Sequence, residues 1–170
     1  MKNHIARRRF PVALALLPTL VAAAVLAGCS KVPDTLKIGV AQPLTGPLGA
    51  LGQDLLNGVN LAVKELNRDG FMVDGKRVQL EVVSVDDKAD AATGKQVAQQ
   101  LVDAGVVAVI GHLNSGVSIE AAPIYAAKDI AQIAISTNPK FTQLGLNSTF
   151  RMVANDTLQA RAIGSFAATQ

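Results

Sequence analysis

Small hydroxyl and amide side chains form two short clusters in the middle of the chain. The first is Asn114-Ser115-Gly116 and the second is Ser136-Thr137-Asn138. Hydroxyls, backbone N–H groups and a helix N-terminus can together bind a carboxylate, and neighbouring strand carbonyls can accept from an ammonium group. A zwitterionic amino acid would use both. The alternative is structural: Ser115 or Ser118 caps a helix, and the second cluster is a turn before Pro139.

The acidic pair Asp86-Asp87 is a second candidate site. Paired carboxylates at the end of a strand can hold a divalent cation, as in phospho-receiver domains. A receiver would also need an aspartate after its third strand, where this chain has Gly111-His112-Leu113-Asn114. We therefore predict no metal site and interpret the acidic pair as a charge clamp at a helix N-terminus.

Catalytic and nucleotide-binding motifs are missing from the sequence. A Ser-His-Asp set would need Ser115 or Ser118 beside His112, but no Gly-x-Ser-x-Gly elbow is present. A lone histidine is more often a hydrogen-bonded structural residue. The spacing Gly46-x-x-Gly49-x-x-Gly52 matches neither the dinucleotide fingerprint nor a Walker A loop. The chain is predicted not to be an enzyme and to need no cofactor.

Short apolar runs alternate with longer segments of helical periodicity. This alternation predicts an α/β fold, a parallel sheet with helices on both faces, in which ligands bind beyond the carboxyl ends of the strands. Both polar clusters follow predicted strands. The strands are predicted at Leu36–Ala41, Val78–Val85, Val106–Ile110, Ile130–Ile135 and Phe150–Val153. The helices are predicted at about Gln53–Asn67, Ala89–Asp103 and Ser118–Lys128, with a last one from Asn155 or Asp156 to the chain end.

The excess of positive charge is confined to the N-terminus. The 170 residues carry a formal net charge of +3, but residues 1–28 contain four cations and no acid. Residues 29–170 therefore have a net charge of −1. A nearly neutral domain lacks the basic surface that nucleic-acid binding requires, so no nucleic-acid partner is expected.

The same N-terminal segment is typical of a bacterial lipoprotein signal. An apolar run from Phe10 to Ala27 follows the cations and ends in Leu26-Ala27-Gly28-Cys29, which resembles a lipobox. We predict a signal peptide over residues 1–28, a tether over residues 29–35, and a thioether-linked lipid on Cys29 that holds the protein at a membrane. The alternative is an uncleaved signal anchor. Cys29 is the only cysteine, so no intramolecular disulfide can form.

From about Leu36 to its end, the chain resembles the periplasmic branched-chain amino acid (leucine, isoleucine and valine) binding proteins of ABC importers. The segments that carry the resemblance are Val40 to Pro47, Val85-Asp86-Asp87, Gly111 to Gly116, Ile124-Tyr125, Ser136 to Pro139, Phe141-Thr142, Phe150-Arg151 and Asn155-Asp156.

The resemblance implies a lobe of a type I periplasmic binding protein, a fold of two α/β lobes joined by a hinge with the ligand in the cleft between them. The hydroxyls at the positions of Ser115 and Thr137 would hold the ligand carboxylate and ammonium, and the backbone of Leu113 and Ile135 would line the pocket. Leu51 stands where the family often has an aromatic side chain. The implied ligand site comprises Leu51, Leu113, Asn114, Ser115, Ile135, Ser136 and Thr137.

The function implied is that of an extracytoplasmic solute-binding lipoprotein in the periplasm or at the cell surface. It would bind an amino acid, expected to be branched-chain, and deliver it to an ABC permease. Family members are much longer, so residues 36–170 are expected to form the N-terminal lobe of a fragment whose second lobe is absent or truncated. The alternative is a ligand-sensing module of an amide or amino-acid receptor on the same fold.

Overall fold

The computed structural model describes residues 32–170, and Pro33–Gln170 form a compact unit. The predicted signal peptide and Cys29 lie outside the described residues. The strands are β1 (Thr35–Gln42), β2 (Met72–Val73), β3 (Lys76–Arg77), β4 (Gln79–Asp86), β5 (Val106–Gly111), β6 (Ala131–Ala134) and β7 (Thr149–Arg151). The helices are α1 (Gly49–Asp69), α2 (Ala91–Asp103), α3 (Ser115–Ala126) and α4 (Asp156–Ala167).

Five strands form one parallel sheet in the order β4-β1-β5-β6-β7. Strand β1 lies between β4 and β5, pairing with β4 through Ala41 and Val85 and with β5 through Ala41 and Gly111. All carboxyl ends of these strands therefore lie at one edge of the sheet, as the α/β alternation predicts. The predicted fold class is confirmed, with helices on both faces of a parallel sheet.

One face of the sheet is closed by α2 and α3. Ala98 and Leu101 from α2 and Tyr125 from α3 pack with Val109 of β5, and all four are fully buried. The two helices approach closely where Gly94 faces Val117, because a Cβ atom at Gly94 would lie 2.3 Å from Val117 Cγ1. This side supplies the main hydrophobic core and fixes the direction in which α3 points.

The opposite face carries α1 and keeps an apolar groove of about 390 Å³. The helical periodicity predicts an inward apolar stripe on α1, yet only Leu56 among its large side chains is buried. One helix cannot cover a five-stranded sheet, so the rest of the stripe borders the open groove. The lining is formed by Leu36, Ile38, Val59, Ala62, Val63, Leu66, Phe71, Leu80, Val107 and Ile110.

A turn at Asp74-Gly75 closes the small antiparallel hairpin of β2 and β3. Both residues have positive φ angles, 48° and 78°, as a two-residue hairpin of this kind requires. The hairpin strands were not predicted, since two residues are too short for a periodic pattern. Helix α3 begins three residues earlier than predicted and contains Pro123 in its interior.

The last helix, α4, begins at Asp156 with Asn155 as its N-cap and contains no buried residue. Leu158, Ile163 and Phe166 are 56%, 69% and 66% exposed. In residues 32–170, no helix has both the length and the apolar character needed to cross a membrane.

The contact between α2 and α3 gives a stability prediction with an internal control. Gly94→Ala should lower the free energy of unfolding by about 1–3 kcal/mol, because the added methyl group must displace Val117. Gly58→Ala, in the interior of α1 where a Cβ atom meets nothing within 4 Å, should raise it by about 0.5–1 kcal/mol. Urea unfolding monitored by circular dichroism measures both. Equal effects of the two substitutions would contradict the packing described.

Candidate functional site

The two polar clusters meet at the carboxyl edge of the sheet. The backbone N–H of Asn138 donates to Ser115 Oγ over 3.3 Å, which joins the loop after β6 directly to the first residue of α3. Ser115 and Thr137 are both half-buried at this junction. The structure therefore brings together two hydroxyl-bearing residues that the sequence placed in separate clusters.

The N-terminus of α3 lacks a side-chain cap. Asn114 is the N-cap residue, but its side chain makes no capping hydrogen bond, and its Oδ1 atom is buried without a partner. The first N–H groups of a helix carry a partial positive charge and need an acceptor. Because Ser115 is the first residue of α3, its hydroxyl and these amides lie side by side. Neither Ser115 nor Ser118 is the N-cap, which corrects the structural alternative considered for them.

His112, at the end of β5, is fully buried and hydrogen-bonded through both ring nitrogens. Its Nδ1 atom lies 2.6 Å from Asp87 Oδ2, and its Nε2 atom lies 3.2 Å from the hydroxyl of Tyr125. A carboxylate only accepts, so Nδ1 donates to Asp87 and the Tyr125 hydroxyl donates to Nε2. Burial and the charge of Asp87 raise the pKa of Tyr125, which keeps its hydroxyl protonated for this role. The interpretation of His112 as a structural residue is confirmed.

The carbonyl oxygen of His112 contacts both site loops. It accepts hydrogen bonds from Ser118 Oγ at 3.1 Å and from Ser136 Oγ at 3.4 Å, and the two hydroxyls lie 2.5 Å apart. Ser136 is only 1% exposed, and its hydroxyl is directed into this internal network. In this structure the Ser136 side chain therefore supports the loop from inside, and its predicted place in the ligand site stays a prediction.

The remaining predicted site residues are less buried. Leu113 and Ile135 are half-buried beside the polar junction, on the loops that carry Ser115 and Thr137. Leu51 lies on the first turn of α1 and is 56% exposed. It follows β1, which is the neighbour of β5 in the sheet.

Comparison with known proteins agrees with this geometry. Residues 35–170 match the family described as periplasmic binding protein. The chain belongs to this family. It is similar to Leu/Ile/Val-binding protein homolog 2 of Brucella abortus (strain 2308), with 43% identity over 132 residues. It is also similar to the leucine-, isoleucine-, valine-, threonine- and alanine-binding protein of Pseudomonas aeruginosa, with 35% identity over 156 residues.

The solved structure of an ABC transporter substrate-binding protein from Desulfitobacterium hafniense in complex with Leu matches with a TM-score of 0.69 and 36% identity. The match covers 81% of this chain and 39% of that one. The two sequence matches cover 77% and 89% of this chain, but only 35% and 41% of the relatives. The chain therefore spans well under half the length of the periplasmic binding proteins it resembles.

As in a binding protein, the site has no catalytic arrangement among its described residues. Both ring nitrogens of His112 are occupied by Asp87 and Tyr125, so the ring cannot accept a proton from Ser115 or Ser118. Within residues 32–170, no group of three or more His, Cys, Asp or Glu side chains could hold a metal ion. The relatives reported above carry the names of binding proteins.

The interpretation of Asp86-Asp87 as a helix clamp is wrong. The N-cap of α2 is Asp90, whose carboxylate accepts from the N–H of Thr93 at 2.7 Å. Asp87 instead holds His112. Asp86 accepts from the N–H of Leu44 at 2.8 Å and from the hydroxyl of Thr45, which binds the loop after β1 to the end of β4. These partners are far apart in sequence, so local spacing could not reveal them.

Arg151, at the end of β7, is a site residue to which sequence reasoning assigned no role. Its guanidinium donates to the carbonyl oxygens of Ser136 at 2.9 Å and Asn138 at 2.8 Å, and to Thr142 Oγ1. The signal that could have indicated it is an arginine within the short strand predicted after the polar loop Ser136-Thr137-Asn138.

The loop held by Asp86 gives a pH-dependent prediction. Burial alone would raise the pKa of Asp86, but hydrogen bonds from the Thr45 hydroxyl and from the N–H groups of Lys88 and Leu44 outweigh it and lower the pKa. A lowered folded-state pKa stabilises the fold at neutral pH, and this contribution disappears as the pH falls through that pKa.

The free energy of unfolding should therefore decrease below about pH 4. In Asp86→Asn this acid-induced decrease should be smaller by roughly 0.5–1.5 kcal/mol. The measurement is urea unfolding at several values between about pH 6 and about pH 3. Asp54→Asn, at an exposed position of α1, is the control and should keep the wild-type pH dependence. An unchanged pH dependence in the Asp86 variant would contradict the assignment.

Proposed function

We propose that this chain is the N-terminal lobe of an extracytoplasmic amino-acid-binding lipoprotein that delivers a branched-chain amino acid to an ABC permease. The observation that carries the proposal is the uncapped N-terminus of α3 beside the Ser115 hydroxyl, joined to the loop of Thr137. Helix amides and a hydroxyl that lack a protein acceptor form a site for a carboxylate.

The zwitterionic part of the ligand would be bound by both loops. Its carboxylate would accept from Ser115 and from the first N–H groups of α3, where the helix dipole favours negative charge. Its ammonium group would donate to Thr137 Oγ1 and to backbone carbonyls of the two loops. The half-buried side chains of Leu113 and Ile135 add an apolar border, which suits an aliphatic side chain better than a charged one.

The names of the relatives support this ligand class. The proteins of Brucella abortus and Pseudomonas aeruginosa are named for binding of leucine, isoleucine and valine, and the Desulfitobacterium hafniense structure contains Leu. Delivery to a permease follows from the same family assignment. We propose that a second lobe, in the part of the relatives that this chain does not match, supplies the other wall of the cleft.

The ligand site is tested by NMR titration of residues 29–170 with L-leucine. Half a cleft should bind with a dissociation constant on the order of 1 mM or weaker, equivalent to about −4 kcal/mol or less favourable. Chemical-shift changes should be confined to the amides of residues 113–118 and 135–138. Isoamylamine, which has the same side chain but no carboxylate, should not shift the α3 amides.

Ser115→Ala should weaken leucine binding by about two- to tenfold, the net loss of one hydrogen bond. Ser165→Ala, on the exposed surface of α4, is the matched control and should bind as wild type. If no amide of the two loops shifts at the highest soluble concentration of leucine, the proposed ligand site is contradicted. Micromolar binding measured by calorimetry would contradict the proposal that this lobe is only half of the cleft.

The lipid anchor is a separate part of the proposal, supported by Leu26-Ala27-Gly28-Cys29 at the end of the apolar N-terminal run. A thioether-linked diacylglycerol on Cys29 would hold the protein at a membrane, since two acyl chains give stable anchoring where one does not.

Expression of the complete 170-residue chain in a bacterium with radiolabelled palmitate tests this prediction. The wild-type chain should incorporate the label and partition into detergent, whereas Cys29→Ser should do neither. The double variant C29S/S30C keeps a thiol but moves it along the chain by one residue, and it should also remain unlabelled because cleavage and lipidation require the cysteine at its lipobox position. Labelling of the Cys29→Ser chain would rule out this anchor.

A further inference from the structure

The guanidinium group of Arg151 contacts the loop that follows β6 at several points. Arg151 Nη1 donates to the carbonyl oxygens of Ser136 at 2.9 Å and Asn138 at 2.8 Å. Arg151 Nη2 donates to Thr142 Oγ1 and, over 3.4 Å, to the carbonyl oxygen of Pro139. Arg151 itself is half-buried at the carboxyl end of the edge strand β7.

These contacts lie on both sides of Thr137 in the sequence. The carbonyls immediately before and after it, those of Ser136 and Asn138, both accept from the same nitrogen of Arg151. The carbonyl oxygen of Thr137 accepts from the N–H of Asp156, the first residue of α4, at 2.9 Å. Three consecutive carbonyls of the loop are thus fixed by groups from the segment that begins at the end of β7.

The geometry points to Arg151 as a positioning residue for the ligand loop, which we propose it holds in the conformation that presents Thr137 and sets Asn138 against Ser115. This inference rests on the proposed amino-acid site. Arg151 would act through the loop backbone and would not touch the ligand. Its effect on affinity comes from ordering the loop before binding, so that less conformational entropy is lost when the ligand arrives.

The number of acceptors around this side chain explains why the residue is an arginine. A guanidinium is planar and carries five N–H donors in a fixed fork, so one side chain can reach several carbonyls at once. A lysine at this position has a compact ammonium on a flexible stem and cannot match the same set of acceptors. Without the guanidinium, the Ser136 and Asn138 carbonyl oxygens would lose the donor that they share, that of Asn138 keeping only the N–H of Phe141 at 3.2 Å, and the loop would relax.

The test compares Arg151→Lys and Arg151→Ala with Arg77→Lys in residues 29–170. Arg77 also donates to a backbone carbonyl, that of Asn67 at 3.0 Å, but it lies in the β2–β3 hairpin on β3. Each variant is measured for leucine affinity by NMR, for thermal stability, and for the ligand-free amide shifts of residues 136–138 and 156.

Arg151→Lys should weaken leucine binding by about three- to tenfold, as expected when a loop must be ordered on binding. The ligand-free amides of residues 136–138 and 156 should shift. Arg77→Lys should change neither the leucine affinity nor these amide shifts, even if it lowers thermal stability to the same extent as Arg151→Lys. Ethylguanidinium added to Arg151→Ala should restore both the affinity and the shifts, and it should have no such effect on Arg77→Ala. If Arg151→Ala does not fold, the lysine variant carries the comparison.

The outcomes separate this inference from the proposed function. If wild type binds leucine and Arg151→Lys binds equally well with unshifted loop amides, the positioning role is overturned. If wild type does not bind leucine at all, the proposed ligand fails, and the positioning role is then decided by the ligand-free shifts and their rescue by ethylguanidinium. Loss of affinity in Arg77→Lys equal to that in Arg151→Lys would show a general stability effect and overturn the inference.

Discussion

The 2.6 Å hydrogen bond between His112 and Asp87 is the contact on which the arrangement of the site loops depends. It fixes the imidazole at the end of β5, in a fully buried position where an unpaired polar group would be costly. Once the ring is fixed, the carbonyl oxygen of the same residue is fixed too, and both Ser118 and Ser136 donate to it. One buried residue therefore sets the relative position of α3 and the loop after β6.

This internal network divides the polar side chains of the two loops into two groups. The Ser118 and Ser136 hydroxyls are buried, lie 2.5 Å apart and are both directed at the His112 carbonyl oxygen. Ser115 and Thr137 remain half-buried at the carboxyl edge of the sheet, next to the uncapped helix N-terminus. The proposed amino-acid site rests on this division, because a hydroxyl that is hydrogen-bonded in the interior cannot also bind a ligand.

Periodicity predicted the parallel α/β fold and the order of its elements, since alternating apolar runs leave few other packings. It also placed Ser115 and Thr137 after strands, while the absence of a sequence motif around the lone His112 favoured a structural role for that residue. Periodicity did not reveal how much of each apolar face is covered by a neighbouring element. The stripe of α1 was predicted from spacing alone, but only Leu56 of its large side chains is buried because the rest of the stripe borders the open groove on that face of the sheet. The acidic pair was misinterpreted because its partners, Leu44 and His112, are distant in sequence.

The sequence by itself determined which chemical groups this protein has at the ends of its strands, because residue types and the alternation of strands and helices are local properties. It also determined the charge of residues 29–170 and the lipobox-like segment. Only the tertiary structure decided which of these groups are hydrogen-bonded in the interior and which stay partly exposed at the carboxyl edge of the sheet. Asp87, Ser136 and Arg151 acquire their roles from partners that the parallel crossovers bring together, and a hydrogen bond exists only where three-dimensional distance and angle allow it.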